Sequence, residues 1–127
     1  MRAADLLGRL DSPALRVRLL PVYPQSVRVH PPPWWLRGVW PAWVGAMTLP
    51  WGIYVRPDLL RGHPESVARL LCHELVHLRQ WKTLGVFGFL RRYLIDYLGG
   101  RAAGLSHHRA YQAIDLEVEA AQVVASL

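Results

Sequence analysis

Pro64-Glu65-Ser66-Val67-Ala68-Arg69-Leu70-Leu71-Cys72-His73-Glu74-Leu75-Val76-His77-Leu78-Arg79-Gln80-Trp81-Lys82 is the stretch from which the fold is read. Val67, Leu70, Leu71, Leu75 and Leu78 recur at three- and four-residue spacing, the period of an amphipathic helix. Pro64 suits the first helical position, where its missing N–H is no loss, and Glu65 meets the positive end of the helix dipole. Arg79 and Lys82 are last-turn cations, and Gly85 is a stop. On such a helix His73 and His77 share a face with Cβ atoms about 5–6 Å apart, so both can offer a ring nitrogen to one ion. Glu74 lies about 100° round the helix from His73, beside the ion rather than on it. Zinc lowers the pKa of a bound water to roughly 7, and a carboxylate in that place can act as its general base.

Outward from this helix, the period stays helical toward the C-terminus. Val86, Phe89, Leu90, Tyr93, Leu94 and Tyr97 form a second amphipathic stretch ending at Gly99-Gly100. A last helix begins near Ser106, a good N-cap, and runs nearly to Leu127. Toward the N-terminus the period changes to two. Leu15-Arg16-Val17-Arg18-Leu19 and Ser26-Val27-Arg28-Val29-His30 alternate apolar and polar, as strands do, with Pro21 and Pro24 between them. Val44–Leu49 and Trp51–Arg56 read as two more strands about Pro50. Residues 31–43, with Trp34, Trp35, Trp40 and Trp43, read as an irregular covering segment, and the tryptophans of residues 34–51 suit a cleft wall or core equally. The expected class is α+β in one domain over 1–127. A short N-terminal antiparallel sheet and cover (1–63) precede the active-site helix and two further helices (64–127).

A catalytic zinc takes a third protein ligand and keeps one position open. Leu116-Glu117-Val118-Glu119-Ala120 offers two carboxylates, which helical phase separates. Glu117 shares a face with Ile114, Ala121 and Val124, whereas Glu119 groups with Asp115, Gln122 and Ser126. A carboxylate on an apolar face is costly unless paired or metal-bound. Glu117 is therefore the expected ligand, and Glu119 the solvated one.

At these residues the chain resembles the gluzincin class of zinc metallopeptidases, especially its small single-domain minigluzincins, over roughly Gly45 to Gln122. The likeness lies in Gly52-Ile53-Tyr54-Val55, His73-Glu74-Leu75-Val76-His77-Leu78-Arg79-Gln80 and Glu117-Val118-Glu119-Ala120. It implies a zincin-like fold in which His73, His77 and Glu117 ligate one zinc ion and Glu74 is the catalytic base. It also implies a peptide substrate lying along a sheet edge, Val44–Thr48 or Trp51–Val55. One position departs: many gluzincins carry an aspartate four residues after the glutamate ligand, supporting a histidine ligand, and here that position is Ala121. Gln80, Asp115 and Asp96 are the candidates to replace it, since loss of such a partner lowers metal affinity or activity by about 10–100-fold.

The remaining features set bounds. The chain has 127 residues, 52% of them hydrophobic and 19% charged, the balance of a single packed domain. The one cysteine, Cys72, excludes an internal disulfide, suits a reducing compartment and reads as a small buried residue. No apolar run reaches the roughly 18 residues of a membrane span, and the N-terminus lacks a continuous apolar segment, so a cytoplasmic monomer with no membrane partner is expected. The net charge of +6 comes from arginines scattered along the chain, a pattern of solvated surface rather than of a nucleic-acid site. Tyr93, Tyr97, His107, His108 and Tyr111 are candidate donors to a developing oxyanion. The expected activity is zinc-dependent hydrolysis of peptide bonds; the rival is a zinc-binding domain that folds or docks without catalysis.

Overall fold

The computed structural model describes residues 1–38 and 44–127. The placing of Trp40 and Trp43 in a cover lies outside the described residues. The fold is α+β, but helices rather than strands open the chain. Helix α1 spans Ala3–Leu7, and α2 spans Pro13–Leu19, over the first expected strand. The cause is local. Ser12 accepts a hydrogen bond from the Leu15 N–H at 3.1 Å, and Pro13 fills the first helical position. Leu15 and Leu19 are four apart and buried, whereas Val17, which a strand would have turned to the same side, is 68% exposed. In a run of five residues, alternation and helical spacing both place Leu15 with Leu19; the cap decides between them.

Three short strands follow: β1 at Val29–His30, β2 at Ala46–Leu49 and β3 at Gly52–Val55. Between β1 and β2, helix α3 (Trp34–Arg37) occupies part of the segment expected to be irregular, and Trp34 and Trp35 stand exposed on it. The sheet order is β1-β3-β2, and the sheet is mixed rather than antiparallel. β2 and β3 form the antiparallel hairpin about Pro50, whereas β1 runs parallel to β3, with Val29 opposite Ile53. The tight turn imposes the first pairing, and the long connection from His30 permits the second. β3 is thus central and buried on both faces, and β2 is an edge strand.

After α4 (Pro57–Leu60), helix α5 spans Pro64–Ala102. His63 caps it, its Nδ1 accepting the Glu65 N–H at 3.2 Å. Gly85 does not end this helix but breaks its course, at φ 75° and ψ 170°, a conformation open essentially to glycine alone. The expected single last helix is likewise divided, into α6 (His107–Gln112), capped by Ser106 as anticipated, and α7 (Asp115–Ala125). Between them Ile114 is extended, with its side chain fully buried beside Trp81, Phe89 and Leu116. The larger core packs Leu7, Leu15, Leu19, Ile53, Leu71 and Leu75 with Cys72, all but removed from water. At about 1.5–3 kcal/mol for each large aliphatic side chain, this core fixes α5 against α1, α2 and the sheet.

Candidate metal centre

The buried face of α5 brings His73 and His77 one turn apart, their Nε2 atoms 3.2 Å from each other. Helix α7 packs against that face and presents Glu117 there. Its Oε2 lies 2.6 Å from His77 Nε2, and its Oε1 lies 3.4 Å from His73 Nε2. One ligand atom from each of the three residues falls within 4.8 Å of the others. Two imidazole nitrogens and one carboxylate oxygen form a donor set suited to a borderline divalent ion. The residues expected as ligands are therefore brought together.

Around His77 the hydrogen bonds have one consistent direction. The Gln80 amide nitrogen donates to the Leu116 carbonyl at 3.0 Å and to Glu119 Oε1 at 2.9 Å. Both partners are acceptors, so the opposite end of the amide, Oε1, faces His77 Nδ1 at 2.8 Å and must accept. Nδ1 therefore carries a proton, and Nε2 is the atom turned to Glu117 and His73. Among the three candidates to stand in for the aspartate missing at Ala121, Gln80 has the contact. Asp96 instead accepts the backbone N–H of Asp115. Glu119 is half exposed, as its phase suggests, but not merely solvated: it holds Gln80 and accepts from Arg79 at 2.6 Å.

The electrostatics follow from burial and pairing. Burial works against the cationic form of His77, but the hydrogen bond to Glu117 and the charges of Glu74 and Glu117 outweigh it and raise its pKa to about 9. Burial likewise opposes ionisation of Glu117, yet hydrogen bonds from His73 and His77 bring it down to about 2. Glu119 also stays below the usual carboxylate range, burial being overcome by Gln80 and Arg79. Burial pushes the Tyr93 and Tyr111 phenols up, and the nearby Glu117 charge pushes them further, so both remain protonated donors.

Glu74 is buried, and its Oε2 accepts from the Thr48 hydroxyl at 2.7 Å. Thr48 belongs to edge strand β2, whose backbone is tied to α5 a second time: Trp81 Nε1 donates to the Thr48 carbonyl at 3.0 Å. A cavity of about 630 Å³ opens at this point, reaching Glu74, His77 and Glu117 at one end and walled by β2 and by Trp81, Phe89 and Tyr93. Tyr97, His107 and Tyr111 also line it, so four of the five residues considered as oxyanion donors border one space. His108 lines a second cavity of about 490 Å³ with His73; Glu74 and Tyr111 border both.

Comparison with family models, with curated proteins and with solved structures finds no match.

The contacts of Thr48 with Glu74, of Trp81 with Thr48 and of Glu119 with Gln80 carry no local signal in the sequence. Thr48 sits in an alternating strand segment with nothing local to mark it, because its partner Glu74 is 26 residues away. Glu119 had a cue in Arg79 and Gln80, whose distance from it in the chain hid the pairing. Trp34, Trp35 and Trp51 are exposed, so none of them supplies core.

Proposed function

We propose that the chain is a zincin-like, zinc-dependent metallopeptidase in which His73, His77 and Glu117 hold one zinc ion. The observation that carries this is the position of Glu74: buried, bonded to Thr48, and bordering the same cavity as two of the three ligands. Zinc held there would supply a Lewis acid to polarise a carbonyl and would bring the pKa of a bound water to roughly 7. Glu74 accepts the proton that water loses and returns it to the departing amine, a general base and then a general acid. Edge strand β2 offers main-chain groups to an extended peptide beside the cavity. Tyr111, a protonated phenol that lines the cavity with Glu117, is positioned to donate to a developing oxyanion. Gln80 orients His77 in place of the aspartate that Ala121 replaces.

The second reading, a zinc domain without catalysis, draws on that same Ala121 and on the small size of the domain. Two measurements separate the readings. Elemental analysis of purified protein is expected to give close to one zinc per chain, falling sharply in Glu117→Ala. A peptide-library digest then compares wild type with Glu74→Gln. Cleavage by wild type alone, with zinc in both, fits the peptidase. Zinc in both with cleavage in neither leaves only the binding domain, and wild type without zinc ends both readings.

A further inference from the structure

Beyond Gly85, α5 carries an apolar face that no other element among the described residues covers. Phe87 is 89% exposed, and Val86, Leu90, Leu94, Ile95 and Leu98 are each about half exposed. At about 100° per residue these six side chains share one half of the helix circumference. Phe89, Asp96 and Gly100 occupy the other half and meet the rest of the protein. Phe89 is buried against Trp81, Asp96 accepts the Asp115 N–H, and a Cβ on Gly100 would approach Ala110 to 3.1 Å. The face is about 20 Å long, and a soluble surface rarely leaves so continuous an apolar strip without a use.

Charge decides what fits it. Arg91 lies within the apolar arc and Arg101 at its C-terminal end, both exposed. The one carboxylate of the segment, Asp96, is on the far side, bonded to α7. A second copy of the chain would bring arginines against arginines in a protein already at +6. An anionic bilayer surface answers both properties: acyl chains take the leucines and phenylalanine, and arginines reach out to phosphates along their own aliphatic stems. No helix among the described residues is long and apolar enough to cross a membrane, so the contact is one of lying on the surface rather than spanning it.

We infer that the face formed by Phe87, Leu90, Leu94 and Leu98 docks the protein on anionic membrane surfaces. This revises the expectation of no membrane partner, which rested on the lack of a spanning run. Leu90 and Leu94 also wall the cavity at the metal centre, so docking places the cavity mouth beside the bilayer. The test is co-sedimentation of the full chain with vesicles of phosphatidylcholine alone or mixed with phosphatidylglycerol. Wild type is expected to pellet with the anionic vesicles. Phe87→Ser with Leu98→Ser, both on exposed positions outside the cavity, is expected to weaken partitioning about tenfold or more with unchanged circular dichroism. Wild type that stays in the supernatant overturns the inference. So does binding that the double variant retains, which is adsorption of a basic protein by charge alone. A dimer that the double variant abolishes, with no vesicle binding, gives the face to a second copy instead.

Discussion

The side-chain oxygen of Gln80 accepts the Nδ1 proton of His77 at 2.8 Å, while its amide nitrogen is held by Leu116 and Glu119. On the proposed reading, this relationship sets which nitrogen of His77 would meet a metal ion. A histidine free to rotate or to change tautomer presents the right atom only part of the time, and an oriented ligand binds more tightly.

Gln80→Leu is therefore expected to lower zinc affinity by about 10–100-fold while leaving the ligands in place. Glu119→Ala removes one support of Gln80, along with the exposed Arg79 pair, and should cost less. Titration against a competing chelator measures both. Equal affinities for wild type and Gln80→Leu would show that His77 needs no such partner.

Protons compete with metal at His77, and the two consequences have opposite signs. In the metal-free protein the pKa of His77 rises from 6.5 to about 9, so the stabilisation it contributes is complete below 6.5 and is lost as pH rises through 9. Glu117 falls from 4.5 to about 2, so its contribution is present above 4.5 and is lost as pH falls through 2. Denaturant midpoints of metal-free protein should accordingly decline from pH 6.5 toward 9. Zinc affinity should climb over the same interval, because only the unprotonated ring nitrogen binds. Affinity that is flat across that interval would argue against His77 as a ligand.

Thr48→Val keeps the shape of the side chain but removes the donor to Glu74. A buried carboxylate deprived of a hydrogen bond costs about 1–3 kcal/mol, which urea unfolding can resolve. Zinc content should not change, because Glu74 is not among the proposed ligands, and Thr48→Ser should recover most of the loss. A Thr48→Val variant as stable as wild type would mean that water replaces the hydroxyl.

Gly85→Ala tests the break in α5. Nothing lies within 4 Å of an added Cβ, so the penalty comes from the backbone alone. At φ 75° and ψ 170° that penalty is about 1–3 kcal/mol. Relief of it would straighten the helix and pull Phe89 from its stack on Trp81, 3.8 Å between ring centroids, so near-ultraviolet circular dichroism should report the change.

What could be read from the sequence were the relationships closed within one helix. His73 and His77 are joined by a single turn, and their common face follows from helical geometry whatever surrounds it. The choice of Glu117 over Glu119 used the same periodicity on α7, and α7 does turn Glu117 inward. The Pro50 hairpin and the Ser106 cap are equally local.

Tertiary structure decided what depends on distance or on competition between local preferences. Leu15–Leu19 satisfied two periods at once; the Ser12 cap favours helix locally, and burial of Leu15 and Leu19 in the core holds it there. The parallel pairing of β1 with β3 has no local cause, since their register is set by strands that meet only after a long connection. Gly85 and Ile114 turned expected helix ends and continuations into bends because burial of Phe89 and Ile114 rewards the change of direction. The supports of the metal centre, Thr48 on Glu74 and Glu119 on Gln80, join segments far apart in the chain. Spacing along a helix fixes which side chains share a face; only packing determines what that face meets.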